Sequence, residues 1–128
     1  MKKSLISLTI LSIANFAQAG LEDIDNPIKI ATFYEYGDTF KMIDVYAGSN
    51  GTSCPRSYVI VEDGKETDPF GTCAEELINI VKYKDEIYLN MNGFAGPFES
   101  QERQERETSK FYHFIYKNGE ITKTEMDD

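Results

Sequence analysis

Pairs of turn residues that tolerate positive φ, set between short alternating runs, commit most of this chain to antiparallel strands. Asp63-Gly64 ends the β-rich run Ser57 to Glu62, and Asn118-Gly119 divides the aromatic run that starts at Phe111 from Glu120 to Thr124. Both dipeptides suit two-residue hairpins, whose central residues need left-handed backbone. Between them, Ile87, Leu89 and Met91 point one way while Glu86, Tyr88 and Asn90 point the other, as a sheet with one dry face requires.

The remaining segments extend the pattern. Ile28 to Tyr34 mixes β-branched and aromatic residues after Pro27, and Gly37-Asp38 is a turn. Phe40 to Ala47 alternates, with Ile43 and Val45 on its apolar side and Met42, Asp44 and Tyr46 opposite. Residues 48–53 form a turn-rich loop before Cys54-Pro55. Ala74 to Leu77 is expected to make one helical turn, after which Ile78, Ile80, Tyr83, Ile87 and Leu89 keep a two-residue period broken at Lys84-Asp85. Glu99 to Lys110 is charged without apolar periodicity and reads as a mobile loop or solvated helical turn. No repeat or heptad is present. Six to eight short strands predict an all-β fold, mainly an antiparallel meander, arranged as a small sandwich or partly open barrel with one disulfide. Tyr58, Phe70 and Phe111 are expected in its core.

Residues 1–19 have the layout of a cleavable signal peptide: Lys2 and Lys3, an apolar stretch from Leu5 to Ile13, and Ala17-Gln18-Ala19 before Gly20. The apolar stretch is well short of the ~20 residues that a spanning helix needs. The expectation is a periplasmic or secreted protein, a single β-rich domain over residues 20–128, with no membrane insertion after processing. In an oxidising compartment Cys54 and Cys73, the only two cysteines, can pair. Closing a loop of about 20 residues stabilises a fold by about 3 kcal/mol. Their spacing is far wider than the Cys-x-x-Cys of redox-active pairs.

Nineteen of 128 residues taken away leave 109, and two lysines but no acids go with them, so the formal charge moves from −9 to −11. Such a chain repels nucleic acid and anionic lipid, and its field favours a basic partner. Catalytic chemistry has little to build on. The single histidine, His113, sits between Phe111 and Ile115 on one strand face and reads as structural; no Gly-x-Ser-x-Gly elbow or phosphate loop accompanies it. No cofactor or metal is expected: zinc wants several His or Cys ligands, and the acidic turns at Glu22, Asp23, Asp25 and at Asp63, Glu66, Asp68 do not match a calcium loop. Paired carboxylates, Glu75 with Glu76 or Asp44 with Glu62, offer the enzyme alternative, a small envelope hydrolase. A structural subunit that assembles through strand edges is another.

The chain has eight Tyr and eight Phe but no Trp. Such rings are good contact residues because they carry large area with few rotors. Phe94 and Phe98 flank a Gly-Pro turn beside Glu99, Glu102 and Glu105, which makes these five the candidate partner-binding residues.

Cys54-Pro55-Arg56-Ser57-Tyr58 followed by Phe70-Gly71-Thr72-Cys73 resembles a pattern in small exported bacterial proteins without assigned function, where a Cys-Pro-x-x-Tyr segment precedes Phe-Gly-x-Cys by about one hairpin. The similarity covers Gly48 to Met91. It implies shared architecture and carries over no catalytic residue. The functional expectation is therefore a non-enzymatic exported binding protein, of inhibitor or immunity type, for a basic envelope enzyme or toxin.

Overall fold

The computed structural model describes residues 20–49 and 56–126. The predicted leader and Cys54 lie outside them. Eight strands form two antiparallel four-stranded meanders. The first contains β1 (Asp25–Glu35), β2 (Lys41–Ser49), β3 (Ser57–Glu62) and the two-residue β4 (Lys65–Glu66); the second contains β5 (Glu75–Tyr83), β6 (Glu86–Gly93), β7 (Phe111–Lys117) and β8 (Glu120–Met126). Among the described residues the one α-helix is α1 (Gln101–Thr108), and a single 3-10 turn covers Leu21–Asp23.

The two sheets share one core. Ile43, Val45, Tyr58 and Ile60 of the first meet Ile87, Leu89, Met91, Phe114 and Tyr116 of the second. The predicted alternation in β2 and β6 is what delivers these side chains inward. Phe70 joins them: its N–H and C=O both bond Tyr58, and its ring stands 5.1 Å from that of Phe114. Gly71 follows at φ +105°, where a Cβ would lie 2.6 Å from the Arg56 carbonyl oxygen, so this close approach requires glycine. Phe111 departs from expectation. Its register opposite Asn92 sets it on the outer face with His113, because alternation in β7 reserves the inner face for Tyr112, Phe114 and Tyr116.

Two further expectations are corrected. The turn foreseen at Ala74 to Leu77 is confined to Cys73 and Ala74, closed by Glu75 N–H to Thr72 O at 3.3 Å; from Glu75 onward the chain pairs with β6. The charged run is neither loop nor single turn but the eight-residue α1. Ser100 caps it by accepting the Arg103 N–H at 3.1 Å, and Glu99 pairs with Arg103 at 3.3 Å one turn on. It buries no residue and is tethered through Asn92 Nδ2, which donates to the Thr108 and Lys110 carbonyls.

Register and cross-sheet contacts place all four hairpins at one end of the molecule. Glu35 at the end of β1 meets Lys82 at the end of β5 at 3.7 Å, and Tyr116 Oη donates to Glu62 Oε1 at 2.6 Å, with Lys41 beside Glu62. The longer described connections, residues 67–74 and 94–110, lie at the opposite end. Burial and the Glu62 carboxylate push the Tyr116 phenol well above its ordinary value. The folded state therefore holds a proton that the unfolded chain releases near pH 10, and stability falls as pH rises from there toward the folded value. Tyr116→Phe is expected to cost about 1 kcal/mol at neutral pH and to flatten the alkaline decline; urea titrations between pH 8 and about 11 would read both. An unchanged alkaline slope would count against this assignment.

Candidate contact surfaces

The β1–β2 hairpin carries the largest exposed aromatic group. Tyr34 and Phe40 stack at 5.7 Å between ring centroids, and Tyr36 leans on Phe40 at 5.3 Å. Tyr36 is 83% exposed, Phe40 56% and Tyr34 50%. They converge because the strands bring Tyr34 opposite Met42 on the outer face, while the five-residue connection lifts Tyr36 and Phe40 clear of the sheet. Exposed Asp38 stands at the tip. Sequence reasoning read Gly37-Asp38 only as a turn. The signal available was the presence of rings on both sides of it, at Tyr34, Tyr36 and Phe40.

A second surface is the outer face of the β5–β8 sheet. Register sets Asn79, Asn90, His113 and Thr124 in one row across the four strands and Val81, Tyr88, Ile115 and Thr122 in the next. Neither row contains a charge, although 27% of the chain is charged. Charges flank these rows on both sides, at Glu76 in the row of Asn92 and Phe111 and at the hairpin row of Glu86, Lys117 and Glu120, which borders an open cavity of about 440 Å³ lined in part by Ile115 and Thr122. Asn90 Nδ2 donates to Asn79 Oδ1 at 2.6 Å, and His113 Nδ1 is bonded to Asn90 Oδ1. Tyr88 stands edge-on to His113 at 5.6 Å and donates to Glu86 Oε1.

The predicted contact residues divide. Phe98 is 99% exposed, and Glu102 and Glu105 point to solvent from α1. Glu99 is engaged by Arg103, and Phe94 lies under the Arg56 guanidinium, 4.1 Å from its centroid, so it packs the fold. With Arg106 and Lys110 both on Glu107, this stretch is more nearly neutral than its run of glutamates suggests.

The proposed carboxylate pairs are not brought together. Glu75 and Glu76 are consecutive on β5, so one points into the core and the other to solvent; Asp44 opposes Val61 while Glu62 opposes Ile43, on the other face of the sheet. Asp44 is held instead by Thr32 at 2.7 Å and Lys29 at 3.8 Å. Glu75 is buried where the long connections meet. Lys123 of β8 binds its Oε2 while lying over the Tyr112 and Phe114 rings, and Oε1 has no partner among the described residues. Nearby, Arg56 bonds the Cys73 carbonyl at 3.2 Å and pairs with Glu76 at 3.5 Å. Burial pushes the Tyr58 phenol up, against the opposing pull of Arg56. No group of three His, Cys, Asp or Glu side chains among the described residues is placed to hold a metal ion. No family model matches the chain, and no curated protein or solved structure matches it either.

Proposed function

We propose that this chain is an exported, non-enzymatic binding protein of inhibitor or immunity type, acting in the periplasm or after release and locked by a Cys54–Cys73 disulfide. The exposed three-ring cluster at Tyr34, Tyr36 and Phe40 carries the reading. Exposed apolar patches of this kind mark interaction sites, and stacked tyrosine and phenylalanine lose little rotamer entropy on contact. The formal charge, −9 for the full chain and −11 without residues 1–19, favours a basic protein as the partner. The approach of Arg56, two residues beyond Cys54, to the Cys73 carbonyl supports the cystine.

The test uses bait purified from the natural envelope, whose intact mass should correspond to a chain starting at Gly20 and lacking two thiol hydrogens. Wild type and the double variant Tyr36→Ser, Phe40→Ser are exposed to envelope extract, and retained basic polypeptides are identified by mass. A partner that binds wild type at least tenfold more tightly than the variant, about 1.4 kcal/mol, is the expected result. Equal retention by both baits, or none by either, would overturn the proposal.

A further inference from the structure

We propose that the outer face of the β5–β8 sheet is a second binding site, for an uncharged polysaccharide strand whose pyranose rings lie across β5, β6 and β7.

The direction of the side-chain bonds is the main argument. Asn90 Oδ1 can only accept, so the proton between it and His113 sits on His113 Nδ1. Asn90 donates in turn to Asn79 Oδ1. In the neutral imidazole His113 Nε2 is then an acceptor, on the β7 side of this bonded trio and next to Thr124, while the Asn79 amide keeps two donors on the β5 side. These ends lie about 10 Å apart, two strand spacings. Sugar hydroxyls both donate and accept, so a chain of them satisfies both ends at once. An ion would satisfy one only.

Charge and shape agree with this. The solvated face of such a sheet is polar, and here the two central rows contain no charged side chain within a strongly acidic chain. A neutral ligand meets no desolvated charge on such a face. Tyr88, fixed by its bond to Glu86, and Tyr83, 59% exposed at the hairpin, supply apolar ring surface for the C–H faces of pyranoses. This surface is on the opposite sheet from the aromatic hairpin, so it does not depend on the protein partner proposed above.

Titration with cellohexaose and with chitohexaose, followed by NMR of the His113 ring and the Asn79 and Asn90 side-chain amides, tests the site. Binding of either with a dissociation constant of about 1 mM or tighter is expected. Asn79→Ala should weaken it about tenfold, the loss from one ligand hydrogen bond, while Tyr36→Ser leaves it unchanged. Because Asn79 lies on an edge strand, the variant's thermal midpoint serves as the folding control, and His113→Gln gives a second reading if it has unfolded. The proposal is overturned if neither glycan shifts these resonances, if the shifts survive both substitutions, or if only anionic polygalacturonate binds.

Discussion

Leu89→Ala should lower the unfolding free energy by about 3 kcal/mol and the melting temperature by on the order of 15 °C. Leu89 is 0% exposed in β6, between Ile80 and Phe114 within its own sheet and facing the first sheet across the core. Its removal costs the transfer energy of the lost methyl groups and leaves a cavity that two hydrogen-bonded sheets cannot collapse to fill. A domain this small has only about 5–15 kcal/mol in total, so the loss is a large share. Val81→Ala, one strand over on the outer face and 45% exposed, is the matched control and should stay within about 0.5 kcal/mol. Urea midpoints with unchanged slopes measure both. Equal losses at the two positions would contradict a core shared by the inner faces.

Lys123→Met should cost about 2 kcal/mol, and adding Glu75→Gln should restore most of it. Glu75 is 3% exposed with one oxygen unpartnered, so the Lys123 ammonium is the one described group that compensates its charge. Removing one member of such a pair strands a charge away from water, which costs about 3–5 kcal/mol when both partners are fully buried; the part-exposed lysine stem reduces the figure here. The methionine keeps an apolar stem over Tyr112 and Phe114, so packing changes little. A double-mutant cycle isolates the coupling. Additive effects would show that Lys123 acts through its contact with the rings and not through the carboxylate.

Much of this architecture can be read locally. Asp63-Gly64 and Asn118-Gly119 adopt the paired positive φ values that their types suggest, 52° with 78° and 50° with 85°. The alternation of Ile43 with Val45 and of Ile87, Leu89 and Met91 identifies the inner faces correctly. The reading loses phase in β5. A bulge between Leu77 and Asn79 turns Ile78 outward and leaves Leu77 and Ile80 both facing the core, so residues that share a two-residue period in the sequence lie on opposite faces. A bulge is set by how two strands fit, and neither strand records it alone. Phe111 was misplaced for a related reason, since hydrophobicity does not say which face of β7 is covered. Among the contact residues, Phe98 is as exposed as its turn suggests, whereas Phe94 is captured by Arg56 from a segment 38 positions earlier in the chain.

The class of fold, the places where the chain reverses and the inward side of the central strands follow from residue order, because turn backbone and strand alternation are decided over a few neighbouring residues. The grouping of the hairpins at one end, the separation of Glu75 from Glu76, the burial of Glu75 against Lys123 and the uncharged row of Asn79, Asn90 and His113 come from packing and register. Apart from the split of Glu75 and Glu76, which follows once Glu75 is in strand, each joins residues far apart in the chain, and such pairings depend on how two sheets close over a common core.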